Sequence, residues 1–212
     1  AQPATTAAAP AASAPHPPRR RGGGAGAGGR VAAAGGARAA AGGVRGRGAP
    51  RGGGGAPASH KGDHGEVLVV GGGPYAGAPA LTAQAALRAG ADLVRVACPT
   101  SVAHEVQGYR EDLIVRPVEG RQFEPGHVGQ VLEFAEEQDA IVVGPGLGED
   151  GDSLETARAL LEGYSGTAVV DADALRTVPD LTTEATLVCT PHQGELVGMG
   201  GPRSDDWRER RG

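Results

Sequence analysis

The chain has 212 residues, of which 20 are basic and 25 acidic, giving a formal net charge of −5. This length accommodates one ordinary domain, or one domain with a tail. Its apolar stretches are all shorter than the ~20 residues of a membrane-spanning helix, and the first residues lack the apolar core of a secretion signal. We therefore expect a cytoplasmic protein with no membrane partner.

The composition divides near residue 60. Residues 1–60 contain 8 Arg and 16 Gly, no Asp or Glu, and only Val31 and Val44 from the Val, Ile, Leu and Phe set. So little apolar surface does not offset the entropy of ordering, and we predict a disordered segment over residues 1–59. A mistranslated stretch and a nucleic-acid-binding arm are alternatives, although no aromatic residues interleave with the arginines to stack on bases.

The remaining part, from Lys61 onward, is acidic. It carries 12 basic and 25 acidic residues, a balance of −13, which disfavours a nucleic-acid partner or an anionic membrane surface. Its two cysteines, Cys98 and Cys189, follow apolar runs and have no partner at metal-ligand spacing. They are typical of small core residues in a reducing compartment.

From residue 61 short β-branched runs alternate with helical stretches, which is the signature of βαβ units and a mostly parallel sheet. The predicted strands are residues 66–71, 92–97, 112–115, 140–143, 167–170 and 185–188. The predicted helices are residues 78–89, 101–108, 126–137, 153–161 and 172–178, the first of them ended by Gly90. The near-continuous apolar runs indicate strands buried on both faces, so the fold class is a layered α/β domain.

The first strand is followed by the glycine-rich loop GGGPYAGAPA. Gly71, Gly73 and Ala76 satisfy the pattern G-x-G-x-x-A of a dinucleotide-binding loop. A Rossmann domain also needs an acidic residue about 20 residues further on, to hold the ribose. Residues 97–99 are Ala, Cys and Pro instead, so this match is weak.

A second loop, GPGLGEDGDS, lies between the strand at 140–143 and a helix that we expect Asp152 or Ser153 to cap. Glycines 144, 146 and 148 would let backbone N–H groups face a phosphate or pyrophosphate. The alternative is a tight strand-to-helix turn without a ligand. No G-x-x-x-x-G-K-[ST] motif occurs, which excludes a P-loop.

Two further predicted strands are followed by polar clusters, which lie in the segments VVDADAL and TPHQGEL. Asp171 and Asp173 lie one residue apart, a spacing that does not by itself imply a shared metal. One of them could cap the next helix, and Asp171 could hold a ribose hydroxyl, a magnesium-bound water or a neighbouring loop. His192 is either one wall of a site or a helix-capping residue with Glu195 in the first turn.

In order, the segments KGDHGEVLVVGGGPYAGAPALTAQAALRAGADLVRVACP, VVGPGLG, VVDADAL and TPHQGEL closely resemble the ADP/ATP-dependent NAD(P)H-hydrate dehydratase family. The resemblance covers residues 60 to about 210. It implies a ribokinase-like α-β-α domain over residues 60–212. The family is often fused behind an NAD(P)H-hydrate epimerase domain, which suggests a functional pairing with that enzyme, although residues 1–59 do not look like one.

The resemblance also implies roles for single residues. His192 would contact the hydrated nicotinamide dinucleotide, Gly146 and Gly148 would lie against the same substrate, and Ala78 would line its pocket. The carboxylates Asp171, Asp173 and Glu195 would organise the site rather than transfer protons. Members of the family commonly form homo-oligomers, so the resemblance also implies a homo-oligomer here.

The implied reaction repairs a hydrated, inactive form of the nicotinamide cofactor. Water added across a double bond of the nicotinamide ring leaves a hydroxyl that departs poorly, and phosphorylation from ADP or ATP with Mg²⁺ makes it a good leaving group. Elimination then restores NADH or NADPH. Positioning and electrostatic stabilisation carry most of a phosphoryl transfer.

The sequence departs from the family downstream of T-P-H-x-G-E. There the family has a K-G loop and an N-x-G-T-G-D segment, whose aspartate acts as catalytic base. Neither is present, and the only K-G pair, Lys61 and Gly62, belongs to the opening motif. We therefore assign no catalytic residue and no metal ligand, and expect a domain incomplete at its C-terminal end and inactive alone. A ribokinase-like small-molecule kinase and a non-catalytic dinucleotide-binding fragment are the alternatives.

Overall fold

A parallel sheet forms the centre of the structure, a computed structural model that describes residues 31–33 and 65–203. Its strands are β1 (Val31–Ala33), β2 (Glu66–Val70), β3 (Leu93–Pro99), β4 (Ile114–Val118), β5 (Ala140–Val143), β6 (Thr167–Val170) and β7 (Thr186–Cys189). They lie in the order β1-β7-β6-β5-β2-β3-β4, and every pairing is parallel. The predicted parallel sheet is confirmed, with all six predicted strands present.

Helices cover both faces of this sheet. They are α1 (Gly77–Ala89), α2 (Thr100–Gly108), α3 (Val128–Glu136), α4 (Gly151–Gly163) and α5 (Gln193–Gly198). Two 3₁₀ turns, Pro125–His127 and Ala172–Thr177, complete the described elements. The helix predicted over 172–178 is therefore wrong in type. It is a tight turn of six residues, which Thr177 reinforces by donating from Oγ1 to the Ala174 carbonyl.

The two faces of the sheet bury separate apolar cores, as strands covered on both sides require. Leu68 and Val70 pack with α3 and α4, whereas Val69, between them, packs with α1 and α2. All three side chains are at most 2% exposed. The alternation along one strand thus produces the predicted α-β-α layers. Among the described residues, no helix is long and apolar enough to cross a membrane.

The strand order reverses between β2 and β5. From β2 the chain runs outward through β3 and β4, then returns to the other side of β2 at β5 and continues to β6 and β7. The loop after β2 enters α1 on one face, and the loop after β5 enters α4 on the other. Open α/β sheets bind ligands in the crevice that such a reversal creates at the carboxyl ends of the strands.

The helix ends confirm one sequence prediction and correct another. Gly90 ends α1 in the left-handed conformation at φ 108°, as predicted. Helix α4 begins earlier than predicted, because Asp150, and not Asp152 or Ser153, caps it. The Asp150 carboxylate accepts hydrogen bonds from the backbone N–H groups of Asp152 and Ser153.

The segment over residues 1–59 lies outside the described residues except at β1. There the backbone of Val31–Ala33 pairs with Leu187, Val188 and Cys189 of β7. Over those three residues the outer edge of β7 is therefore covered. Residues 204–212, which follow the last described residue, also lie outside the description.

Replacing Asp150 by alanine should destabilise the domain by about 1 kcal/mol, because two N–H groups at the start of α4 lose their acceptor. Urea unfolding of the 212-residue chain measures this change. Glu155→Ala, at an exposed position of the same helix, is the control and should stay within about 0.5 kcal/mol. Equal unfolding free energies for the two variants would contradict the capping assignment.

Candidate functional site

The loops that follow β2 and β5 pack directly against each other at the strand-order reversal. The Gly72 N–H donates to the Pro145 carbonyl at 3.0 Å. A Cβ on Gly71 would lie 2.2 Å from the same oxygen, and one on Gly146 would lie 2.6 Å from the Tyr75 carbonyl oxygen. Both positions therefore require glycine, because the neighbouring backbone leaves no space for a side chain.

This contact brings two predicted site residues together. Gly146 has a φ of +71°, and a Cβ there would lie 3.3 Å from the Cβ of Ala78 in the first turn of α1. Ala78 is partly exposed, whereas Gly146 is buried. The two residues form adjoining parts of one wall at the carboxyl end of the sheet.

We predicted that the N–H groups of all three glycines in the second loop face an anion. In the structure, two of the three are bonded to the protein instead. The Gly144 N–H donates to the Val70 carbonyl at 3.0 Å, and the Gly148 N–H donates to Oδ2 of Asp173 at 2.9 Å. Of the three glycine amides, only that of Gly146 has no acceptor within the described part of the chain. The loop is thus chiefly a close-packed turn, held by the Asp173 carboxylate from the turn that follows β6.

Asp171 and Asp173 each tie the β6 loop to a different neighbour. Asp173 accepts from Gly148 as described, and Oδ1 of Asp171 accepts from the Thr190 hydroxyl at 2.6 Å. Neither carboxylate caps the turn Ala172–Thr177, so the capping alternative is wrong for both. One bridge reaches the loop after β5, and the other reaches the segment that enters α5.

His192 and Glu195 form a reciprocal capping box at the start of α5. Nδ1 of His192 accepts from the N–H groups of Gly194 and Glu195, and the His192 N–H donates to Oε2 of Glu195 at 2.8 Å. With Nδ1 accepting, a neutral imidazole carries its proton on Nε2. Nε2 lies 3.3 Å from Oε1 of Glu195, and the His192 side chain is 72% exposed. The imidazole thus caps the helix with one nitrogen and offers a donor with the other.

A cavity of about 400 Å³ opens beside the two packed glycine loops. Its walls come from both loops, from the start of α2 and from the segment after β4, and include Gly73, Ser101, Arg121, Gln122, Gly148 and Glu149. Of the four residues predicted to contact the substrate, Gly148 lines this cavity, whereas Ala78, Gly146 and His192 are not among its lining residues. The cavity lies where the strand order reverses, which is the position expected for a ligand site in this class of fold.

The sequence profile described as NAD(P)H-hydrate dehydratase matches residues 67–208. The chain belongs to this family. Among its relatives, the bifunctional NAD(P)H-hydrate repair enzyme Nnr of Pyrobaculum aerophilum is 40% identical over 146 residues, which are 68% of this chain and 29% of that protein. The chain thus spans less than a third of the length of this curated relative.

Two solved structures establish that this dehydratase-family chain has the ribokinase-like fold. A ribokinase-like superfamily protein from Enterococcus faecalis V583 is similar with a TM-score of 0.60 and 23% identity, over 74% of this chain and 56% of that one. An ADP/ATP-dependent NAD(P)H-hydrate dehydratase from Bacillus subtilis, co-crystallised with ATP/Mg²⁺, has a TM-score of 0.56 and 23% identity, over 73% and 54% respectively. The predicted fold is confirmed.

The cysteines of this dehydratase-family chain are confirmed as core residues. Cys98 and Cys189 are buried free thiols. Cys98 lies beneath the β2 loop, since a Cβ built on Gly72 would be 3.3 Å from the Cβ of Cys98. Burial raises the pKa of Cys98 from 9.0 to about 11 and also raises that of Cys189. Both thiols are protonated at neutral pH and unsuited to act as nucleophiles.

Sequence reasoning missed two contributors to the site. Thr190 could have been suspected, because it stands inside the T-P-H motif directly after β7. Arg121 carries no signal of its own, since it lies in a connection without a motif, and only the fold brings it to the cavity. Within the described residues, no group of three His, Cys, Asp or Glu side chains is arranged to hold a metal ion.

Replacing Gly146 by alanine should lower the free energy of unfolding by about 1–3 kcal/mol, because the new Cβ would strike the Tyr75 carbonyl at a positive φ. Gly151→Ala is the control, since a Cβ there meets nothing within 4 Å. Urea unfolding measures both variants. A Gly146→Ala variant as stable as Gly151→Ala would show that the two loops do not approach so closely.

The raised pKa of Cys98 predicts a pH effect on stability. The unfolded thiol ionises near its ordinary pKa of 9.0 and the folded thiol near 11, so this contribution is complete below pH 9 and is lost as the pH rises through 11. We expect the unfolding free energy to fall more steeply over this range in the wild type than in Cys98→Ala. Val94→Ala, which removes buried volume but no titrating group, should keep the wild-type slope; equal slopes in all three proteins would refute the assignment.

Proposed function

We propose that this chain is the substrate-side part of an ADP- or ATP-dependent NAD(P)H-hydrate dehydratase and binds the S epimer of NADH or NADPH hydrate. The observation that carries the proposal is the cavity at the strand-order reversal, walled by the loops that hold the family's glycine motifs. Its volume of about 400 Å³ falls within the ~300–1,000 Å³ of small-molecule sites. A hydrated nicotinamide ring with its ribose is a ligand of suitable size.

The wall formed by Ala78 and Gly146 would support the substrate. Both residues are small at a place where two loops meet, and a larger side chain at Gly146 would displace the β2 loop. Gly148 borders the cavity, with its amide held by Asp173. Ala78 and Gly146 are not among the residues that line the cavity. We therefore propose substrate contact for Gly148 inside the cavity, and for Ala78 and Gly146 where the substrate extends beyond it.

His192 would contribute a hydrogen-bond donor to the substrate. Its Nδ1 is committed to capping α5, which fixes the ring and leaves Nε2–H, now beside Glu195, as the donor that a substrate oxygen could use. Glu195, 3.3 Å from Nε2, would keep the imidazole oriented until a substrate oxygen takes its place. Asp171 and Thr190 hold the segment that leads into this turn.

The chemistry of the proposed reaction divides between binding and phosphoryl transfer. A nucleotide with Mg²⁺ would supply the phosphoryl group that turns the ring hydroxyl into a leaving group. Mg²⁺ is usually held by one or two carboxylates together with phosphates. Asp171 and Asp173 each use one carboxylate oxygen to accept a hydrogen bond from the protein, and within the described part of the chain no group of three His, Cys, Asp or Glu side chains is arranged to hold a metal ion. We therefore propose for the described residues only the binding and orientation of the hydrate.

The proposal extends to the nucleotide site, the oligomeric state, the partner enzyme and the location of the protein. We propose that residues other than the described ones supply the nucleotide site of the active enzyme. We also propose, as a separate point, that the enzyme is a homo-oligomer. A functional pairing with an NAD(P)H-hydrate epimerase would supply the S epimer from the R epimer. A cytoplasmic location agrees with two unpaired buried thiols.

Calorimetric titration of the 212-residue chain with NADPH hydrate tests the binding claim. We expect the chain to bind the S epimer and to prefer it over the R epimer, with no return of NADPH absorbance on adding ADP or ATP with Mg²⁺. ADP-dependent recovery of absorbance would instead show that the chain is a complete dehydratase. The absence of any binding, together with phosphorylation of an alcohol substrate, would favour a small-molecule kinase.

Two replacements of His192 separate substrate contact from helix capping. Asparagine is a good N-cap and should preserve α5, whereas alanine removes both the cap and the imidazole. We expect both variants to bind NADPH hydrate about tenfold more weakly, because the loss of one hydrogen bond to the substrate costs ~1–1.5 kcal/mol. His104→Ala, at an exposed position of α2, is the control and should bind normally. Normal binding by His192→Asn would show that His192 only caps the helix.

A further inference from the structure

Arg121 lies in a connection after β4 that is fastened to the site by hydrogen bonds from α2. The Thr100 hydroxyl donates to the Gly120 carbonyl at 3.0 Å and accepts from the Gly120 N–H at 3.1 Å, and the Ser101 hydroxyl donates to the Arg121 carbonyl at 3.1 Å. Two residues further on, Phe123 is fully buried. The backbone of Arg121 is thus held between a helix start and the core, and its side chain borders the cavity.

Arg121 forms no ion pair with a carboxylate of the described residues. Among the other arginines that the structure describes, Arg95, Arg110, Arg158 and Arg176 form ion pairs. Within the described part of the chain, Arg121 has no side-chain partner, and of the arginines without one it alone borders the cavity. Arg121 is exposed, and an unpaired cation beside a cavity, in a region whose balance is −13, would attract an anionic ligand.

The acidic residues that border the same cavity already have partners. Glu149 pairs with the Arg176 guanidinium, and Asp150 accepts from the N–H groups of Asp152 and Ser153 at the start of α4. Each contact occupies one oxygen of the carboxylate. Arg121 is the cation among the residues that line the cavity, so it is the residue there that can donate charge-assisted hydrogen bonds to an anion.

We infer that Arg121 binds a phosphate group of the dinucleotide substrate. This inference rests on the proposed function, and it adds a specificity-determining contact outside the motif loops. A guanidinium offers a planar fork of N–H donors that matches two oxygens of one phosphate. NADH hydrate presents a pyrophosphate, and NADPH hydrate presents the same group and a 2′-phosphate on the adenosine ribose.

Calorimetric titrations of three variants with NADH hydrate and NADPH hydrate test the inference. We expect Arg121→Ala to bind about tenfold more weakly, as the loss of a charge-assisted hydrogen bond predicts, and Arg121→Lys to recover part of that loss. Arg116→Ala is the matched control. Arg116 is an exposed arginine on β4 with no carboxylate partner among the described residues and no place in the cavity wall, so its variant should bind within about twofold of the wild type.

The two ligands identify which phosphate is bound. Weaker binding of both hydrates by Arg121→Ala supports contact with the pyrophosphate, and weaker binding of NADPH hydrate alone supports contact with the 2′-phosphate. Equal binding by Arg121→Ala and Arg116→Ala would overturn the inference while leaving the proposed function intact. A wild type that binds neither hydrate overturns both.

Urea unfolding of the same variants separates a binding role from a structural one. The hydrogen bonds that fasten this connection use the backbone of Arg121, so Arg121→Ala should keep the wild-type unfolding midpoint. A lowered midpoint, combined with no recovery of binding by Arg121→Lys, would overturn the inference.

Discussion

The close approach of the β2 and β5 loops is the constraint on which the rest of the site depends. Gly71 and Gly72 lie against the Pro145 carbonyl, and Gly146 lies against the Tyr75 carbonyl, so no side chain separates the two backbones. Because the chain leaves these strands toward opposite faces, the contact closes the base of the crevice that the strand-order reversal opens. The glycines are therefore explained first by packing, and the cavity is a consequence of that packing.

Hydrogen bonds from the loop after β6 extend this arrangement along the carboxyl ends of the strands. Asp173 holds the β5 loop through Gly148, and Asp171 holds the β7 loop through Thr190, two residues before His192. The pair thus joins motifs that are far apart in sequence but lie on neighbouring strands. Replacing either aspartate would alter the positions of several loops together. This effect suits a positioning role for the two carboxylates better than proton transfer.

The sequence predicted the sheet well because its strands are buried on both faces, so that apolar runs such as residues 140–143 coincide with β5. It predicted β4 poorly, since Arg116 and Pro117 interrupt the apolar pattern of that edge strand. The cap of α4 was misassigned because Asp150, Asp152 and Ser153 all favour that position. The direction of the glycine amides and the place of Arg121 depend on contacts between distant segments, which local patterns do not encode.

Hydrogen–deuterium exchange of the 212-residue chain, with and without NADPH hydrate, tests most directly whether the crevice at the strand-order reversal is the substrate site. Exchange reports local opening of the backbone, and a bound ligand suppresses it in the segments that it contacts. We expect slower exchange in residues 71–77 and 144–150 and in the turn at His192, with little change at the opposite end of the sheet. Unchanged exchange in both glycine loops under conditions where the hydrate binds would contradict it.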